Sequence, residues 1–87
     1  MLNKMNIDVP RYTKEGLVYV WENGFMIRCK IDESSVRIEA NKEGLISLAR
    51  HILELTQEEV PEFTHIHLDQ YNSLEEDSNE LIIIKSE

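Results

Sequence analysis

The stretch that most constrains the fold is residues 64–69 (THIHLD), where apolar and polar side chains alternate strictly. Successive side chains of a β-strand point to opposite faces, so Thr64, Ile66 and Leu68 share an apolar face. The opposite face is predominantly polar and carries Phe63, His65, His67 and Asp69. After a polar loop, residues 81–85 (LIIIK) supply a second apolar run. The pattern predicts a strand pair that closes the sheet of a small α+β domain.

A hairpin is predicted nearer the amino terminus. Residues 17–21 (LVYVW) are rich in β-branched and aromatic residues, and the Asn-Gly pair at 23–24 suits a two-residue turn. Residues 25–31 then return, and a further turn near 33–34 leads into a third strand. The core face of these three strands is predicted to carry Val18, Val20, Phe25, Ile27, Cys29, Ile31, Val36, Ile38 and Ala40.

The opposite face of this hairpin is predicted to be an interface. It also carries large apolar side chains, namely those of Tyr19, Trp21 and Met26. A single helix can cover only one face of a sheet, so these residues require a partner or remain an exposed apolar patch. We therefore expect Tyr19, Trp21 and Met26 to bind a partner, most simply a second copy in a homodimer. The same register places Arg28 opposite Glu39, a favourable pair.

One helix is predicted after the third strand. Asn41 is a suitable N-cap, and the helix should end around residues 56–58, before Pro61. The apolar residues that recur at helical spacing, and so are predicted to be buried, are Leu45, Leu48, Ala49, Ile52 and Leu55. The predicted solvent side carries Ser47, Arg50, His51 and Glu54. Acidic residues at the carboxyl end of this helix have the wrong sign for the helix dipole.

The expected architecture is one domain over residues 1–87, because this length supports one core. Residues 1–15 are either a frayed tail or a short edge strand. The fold class is α+β, with the order βββαββ and a single, mostly antiparallel sheet of about five strands packed on one helix. Residues 81–84 are all apolar, which favours a central strand buried on both faces.

The charge distribution excludes one class of partner and favours another. The formal net charge is −8, and residues 54–80 hold nine acids without a single Lys or Arg. Nucleic-acid binding is not expected, because phosphate contacts need the opposite sign. A basic protein would be steered to such a surface, so Glu75 and Glu76 are candidate partner contacts. The alternative is that these acids only keep a small protein in solution.

Composition also indicates the expected location. Cys29 is the only cysteine, so no intramolecular disulfide can form, and a lone thiol fits a reducing cytoplasm. We expect a cytoplasmic protein that does not enter a membrane, because there is no leader-like segment and no long apolar run.

The polar row of the 64–69 strand is the one candidate metal site. His65, His67 and Asp69 would project three possible ligands from one side of the strand. No further cysteine or histidine cluster completes a first shell, and the alternative is that the histidines bond to neighbours or contact a partner. We find no nucleophile in a catalytic context and no glycine-rich phosphate loop. We therefore expect no catalytic residue and no cofactor.

Three short motifs share their order and spacing with a known family. They are Asn41-x-x-Gly44-Leu45-x-x-Leu48-Ala49, His65-x-His67-Leu68-Asp69 and Ser78-x-Glu80-Leu81-Ile82-Ile83. Through them residues 38–85 resemble immunity protein family 32, bacterial proteins predicted to protect against polymorphic toxins. Such families usually show a glycine ahead of the helix, where this chain has Glu39-Ala40. The resemblance implies a non-enzymatic α+β domain that neutralises a cognate toxin by stoichiometric binding.

Three functional hypotheses follow. The first is an immunity protein that caps a basic toxin site through its acidic surface and the row of His65, His67 and Asp69. The second is a homodimeric structural or regulatory protein. The third is a small metal-binding protein that uses the same three side chains. The first two are compatible with each other.

Overall fold

Four strands and one helix form the regular part of the chain, and the computed structural model describes residues 1–87. The elements are β1 (Ile27–Asp32), β2 (Ser35–Ala40), α1 (Lys42–Leu55), β3 (His65–Leu68) and β4 (Leu81–Ile84). β1 pairs with β2 and β3 pairs with β4, both antiparallel, in two separate two-stranded sheets. The α+β class is confirmed. No helix has the length and apolar character that crossing a bilayer requires.

The β1–β2 hairpin follows the predicted register, with Arg28 opposite Glu39. Its tight turn includes Glu33 at φ 46°, a conformation that short turns require. Ile27 and Cys29 are fully buried in the core, as predicted. The predicted burial is wrong toward the turn, because α1 does not extend over that end. The residues left exposed on the core face are Ile31, Val36 and Ile38.

The predicted single sheet of about five strands is wrong, and the loop between β3 and β4 shows why. This loop runs along the second edge of β1, where the Glu75 N–H donates to the Ile27 carbonyl at 2.9 Å. The Asn79 N–H donates to the Cys29 carbonyl at 2.7 Å, and Leu74 inserts into the core. Because the loop satisfies this edge of β1, β4 pairs only with β3 and the two sheets stay separate.

The predicted strand at residues 17–21 is also absent. The Asn-Gly turn does form, with Gly24 at φ 82°, but the chain enters it from an irregular segment, residues 1–25, which we call the N-terminal arm. Val18 and Val20, expected in the core, are more than two-fifths exposed. The arm needs no strand partner, because helix side chains satisfy several of its backbone groups.

Helix α1 begins as predicted and ends one residue before the predicted range. The Asn41 side chain accepts a hydrogen bond from the Gly44 N–H at 2.8 Å, so Asn41 is the N-cap. Leu48 and Leu55 pack into the core as expected. Gly44 lies directly over the β1–β2 hairpin, against the Met26 carbonyl.

The predicted solvent side of α1 is wrong. Its four residues are at most 8% exposed: Ser47, Arg50, His51 and Glu54. The Val18 N–H donates to Glu54 Oε2 and the Glu22 N–H donates to Ser47 Oγ, both at 2.8 Å. The arm therefore packs on the polar side of the helix, while Leu45 and Ile52, expected in the core, are at least 40% exposed.

Arg50 and Gln57 hold the remaining length of the arm. Arg50 Nε donates to the Asp8 carbonyl at 2.9 Å, and Arg50 Nη2 pairs with Glu22 Oε2 at 2.8 Å. Gln57 Oε1 accepts from the Tyr12 N–H at 3.1 Å. A buried polar side chain needs hydrogen-bond partners, and here the backbone of the arm supplies them.

The β3–β4 hairpin has one buried face. Ile66 and Leu68 are at most 2% exposed and pair across the sheet with Ile83 and Leu81. The prediction that β4 would be a central strand buried on both faces is wrong, since Ile82 and Ile84 are 46% and 57% exposed.

His51 lies at the contact between helix and arm without a hydrogen bond from either ring nitrogen. Its ring packs edge-on against Tyr19 at 5.1 Å and Trp21 at 4.4 Å between centroids. Burial, reinforced by the charge of Arg50, lowers the pKa of His51 from 6.5 to about 4. The folded chain therefore holds this side chain neutral.

We predict that replacing Gly44 with Ala lowers the free energy of unfolding by about 2 kcal/mol or more, because the added methyl would overlap backbone. Alanine would otherwise stabilise a helix by about 1 kcal/mol, so the sign of the change is diagnostic. Urea unfolding measures it. Gly24→Ala is the control, since nothing lies within 4 Å of the added atom and only its φ of 82° opposes the change. A Gly44→Ala chain more stable than the wild type would contradict this packing.

We predict that His51 makes the fold weaker in acid. The unfolded chain takes up a proton near pH 6.5 and the folded chain only near pH 4, so stability falls as the pH drops between these values. The loss reaches up to about 3 kcal/mol by this linkage. Urea unfolding across this range should show the slope in the wild type and its loss in His51→Phe. Glu54, whose pKa burial raises, is present in both chains, so equal slopes would refute the assignment.

Candidate functional site

The face of the β3–β4 hairpin that turns away from the core is the most distinctive exposed surface. Across the two strands His65 pairs with Ile84 and His67 pairs with Ile82. All four side chains are exposed, and we call this surface the outer face. The predicted alternation of residues 64–69 is confirmed at its centre, since Ile66 and Leu68 point inward. The outer face therefore combines two imidazoles with two isoleucines that no part of the chain covers.

One end of the outer face carries a cluster of His67, Asp69 and Glu80. His67 Nε2 lies 2.8 Å from Glu80 Oε2 and 3.6 Å from Asp69 Oδ2. Glu80 comes directly before β4, and the hairpin register brings it beside the end of β3. The side chains of His67 and Glu80 are about half exposed, while that of Asp69 is a quarter exposed.

The loop that follows β3 fixes the orientation of Asp69. Asp69 Oδ1 accepts from the backbone N–H groups of Tyr71 at 2.9 Å and Asn72 at 3.1 Å. Asn72 Nδ2 in turn donates to the His67 carbonyl at 3.1 Å. These bonds occupy one carboxylate oxygen and leave Oδ2 directed toward His67. The acidic end of the outer face is thus held by the backbone.

The cluster differs from the predicted row of His65, His67 and Asp69. One ligand atom from each of His67, Asp69 and Glu80 lies within 4.8 Å of the others, and His65 is not part of this group. One imidazole and two carboxylates could hold a divalent cation with water at its other positions. The same arrangement also suits the guanidinium or ammonium group of a protein partner.

Sequence reasoning missed Glu80, Ile82 and Ile84 as site residues. The signal that finds them is the pairing of residues 81–84 with residues 65–68, which places alternate residues beside the two histidines. The run of apolar residues concealed this alternation, because it reads equally well as a strand with two buried faces.

Phe63 stands two residues before β3 and is both exposed and strained. Its side chain is 62% exposed and its φ is 71°, a region that bulky residues rarely occupy. The Phe63 N–H donates to the Lys85 carbonyl at 2.7 Å, which holds the backbone in place. Strained residues cluster at functional sites, which makes Phe63 a further candidate contact residue beside β3.

Residues 54–80 hold nine acids and no Lys or Arg, and the nearest basic residue that follows them is Lys85, whose ammonium donates to the carbonyls of Gln57 and Val60. Within residues 54–80, Glu54 is buried and holds the arm, and Asp77 pairs with Lys30 at 3.0 Å. Four other carboxylates of this stretch are exposed and lie outside any ion pair: Glu58, Glu59, Glu62 and Glu76. Acidic residues therefore outnumber basic ones by a wide margin in this stretch of the chain.

The other predicted contact residues lie apart from the outer face. Tyr19 and Trp21 stack on each other and pack edge-on against His51, so they belong to the arm and share no sheet face with Met26. Trp21 and Met26 are half-buried. Glu75 is half-buried in the loop along β1, beside the exposed Glu76. Their contact with a partner stays a prediction, but the sheet face that Tyr19, Trp21 and Met26 were predicted to share is wrong, because residues 17–21 form no strand.

The Cys29 thiol and a groove beside α1 are two further features that lie apart from the outer face. Burial raises the pKa of the Cys29 thiol, so it stays protonated and unreactive. A shallow groove of about 530 Å³ lies between the arm and the exposed side of α1. The residues that line it are largely apolar and include Met5, Ile7, Leu45, Ile46, Ala49 and Leu53.

Comparison with known proteins identifies the family. The family described as immunity protein 32 matches residues 35–86, more than half of the chain. The chain belongs to the immunity protein 32 family. The match runs from β2 to β4 and includes every residue of the outer face. Immunity protein 32 members are typically non-enzymatic binding proteins, and membership implies toxin neutralisation in general. No curated protein and no solved structure matches the chain.

We predict opposite consequences for two adjacent residues of β3. Ile66→Ala should lower the free energy of unfolding by about 3 kcal/mol, because it leaves a cavity in the core. His67→Ala should cost less than about 1 kcal/mol, because its ion pairs are exposed to solvent. Urea unfolding of the two variants tests this. If His67→Ala lowered the free energy of unfolding as much as Ile66→Ala, the prediction would be wrong and the cluster would be needed to stabilise the fold.

Proposed function

We propose that this chain neutralises its cognate toxin by binding it one to one through the outer face, without turnover. The observation that carries the proposal is the exposure of Ile82 and Ile84 on the strand pair that also holds the His67 cluster. Such apolar side chains, rimmed by oriented carboxylates, have the composition of a protein interface.

The proposed partner presents a basic surface. The carboxylates of Asp69 and Glu80 converge on one point, and Oδ2 of Asp69 is left free by the loop. An arginine or lysine of the toxin would be bound there by charge-assisted hydrogen bonds. The exposed acids Glu58, Glu59 and Glu62 would steer it into place, so the association rate should fall as salt concentration rises. Occlusion of a basic toxin site is the resulting mechanism.

We predict that Ile82→Glu weakens toxin binding by about 2 kcal/mol or more, because it places a charge at the centre of the interface. The matched control is Ile52→Glu, the same substitution at a residue 40% exposed on α1, compared with 46% for Ile82. We expect a toxin gene beside this one; its product is the binding partner in the test, and calorimetry measures affinity and stoichiometry. Equal losses in the two variants, or none at Ile82, would overturn the outer face as the site.

His67→Ala provides a second measure on the same complex. It should weaken toxin binding more than it lowers the melting temperature, because His67 contributes to the interface and not to the core. A larger effect on melting than on binding would count against the proposal.

A second candidate function is binding of a divalent cation by His67, Asp69 and Glu80, which the convergence of their ligand atoms favours. Elemental analysis of chain purified without a metal-affinity tag separates the candidates. A stoichiometric metal that disappears in Glu80→Gln would support the cation site.

A further inference from the structure

We propose that two copies of this chain associate through the free edge of β2, pairing this strand antiparallel with its own copy. The result would join two β1–β2 hairpins into one four-stranded sheet. This interface is separate from the outer face of the β3–β4 hairpin, so it is independent of the toxin-binding proposal.

The backbone of β2 leaves one edge open. Along β1, the groups of Ile27, Cys29 and Ile31 bond to the loop between β3 and β4. Because bonding direction alternates along a strand, the intervening β1 residues bond to β2 at Ser35, Arg37 and Glu39. The backbone groups of Val36, Ile38 and Ala40 therefore point away from β1. They form an edge that can accept another strand.

The side chains at this edge are apolar and open to solvent. Residues 35–39 of β2 are all exposed. On the face shared with the core, Val36 is 65% exposed, Ile38 is 40% exposed and the neighbouring Ile31 is 56% exposed. Helix α1 covers the other end of this hairpin, at Gly44. A second copy would extend the apolar surface across the joint.

The sequence of β2 is complementary to itself when read in the opposite direction. With Ile38 opposite Ile38 of the second copy, Arg37 lies opposite Glu39, and the reverse pair repeats by two-fold symmetry. The flanking pair is Val36 with Ala40. Opposite charges directly across two strands are favourable. This register therefore combines two charge pairs with an apolar centre.

Charge also excludes the neighbouring registers. The backbone groups of Val36, Ile38 and Ala40 must face the same groups of the second copy. The pairing register of the two strands can therefore shift only in steps that keep these three residues opposite one another. One such shift places Arg37 opposite Arg37, and the other places Glu39 opposite Glu39. Like charges directly opposite are destabilising. The alternation of charge along β2 thus selects the centre at Ile38, as register devices do in other edge strands.

The test uses charge reversal in the full-length chain, with mass measured by light scattering or sedimentation over a range of concentrations. The wild type should reach twice its 10.2 kDa mass. Arg37→Glu alone and Glu39→Arg alone each place like charges at residues 37 and 39 of the two copies, in both symmetry-related pairs. Each variant should therefore raise the dimer dissociation constant about tenfold or more. An equimolar mixture of the two variants restores both pairs and should form a heterodimer.

Matched controls separate this effect from net charge and from folding. Arg11→Glu and Glu58→Arg carry the same changes in charge at exposed residues outside β2, and should dimerise like the wild type. Within one chain Arg37 lies opposite Lys30, so Arg37→Glu improves that internal pair and its loss of dimer is not explained by unfolding. A wild type that stays monomeric at every concentration, a dimer unaffected by the two reversals, or a mixture without heterodimer would each overturn the proposal.

Discussion

The hydrogen bonds between the polar side of α1 and the backbone of the N-terminal arm determine what the rest of the molecule can do. Ser47, Arg50 and Glu54 lie on one side of the helix and each bonds to a main-chain group of the arm. The apolar side of the helix, which carries Leu48 and Leu55, packs into the core with residues of the two sheets. The helix is therefore covered on two sides, and the arm becomes part of the fold although it has almost no regular secondary structure.

This arrangement decides which surfaces remain open. The aromatic residues of the arm are engaged with His51 and with one another, so they are not the main candidates for a partner. The inner faces of the two sheets pack toward the helix, and their outer surfaces remain exposed to solvent. The outer face of the β3–β4 hairpin and the edge of β2 are two places in the sheets where exposed apolar side chains lie beside charged ones. Both lie within the region matched by the immunity protein 32 family.

Local patterns in the sequence were sufficient for several elements. The N-cap at Asn41, the β1–β2 register and the inward faces of Ile66 and Leu68 each depend on neighbours in sequence or on one tight turn. Family membership was likewise confirmed, because three motifs with fixed spacing carry it. At the site, the alternation placed His67 and Asp69 on one side of the strand, but only the long-range pairing with β4 adds Glu80.

Several of the errors share one physical cause, which is that a polar residue was assumed to face solvent. Glu54 illustrates it: its charge is unfavourable at the carboxyl end of a helix and its burial raises its pKa, yet it accepts the Val18 N–H. The same bond removes the need for a strand at residues 17–21. A loop likewise replaced a strand along β1. Hydrophobic periodicity cannot reveal that an irregular segment takes the place of a strand, because side-chain-to-backbone bonds between distant segments leave no repeat in the sequence.

The most direct test of this account is amide hydrogen exchange, followed by NMR, at the arm residues Val18 and Glu22. Their N–H groups donate to Glu54 and Ser47 on the buried side of α1. The account predicts slow exchange at both, comparable to the amides of β1, although neither residue lies in a helix or strand. Exchange at the rate of an unstructured peptide would contradict it, because the arm would then leave the polar side of the helix uncovered.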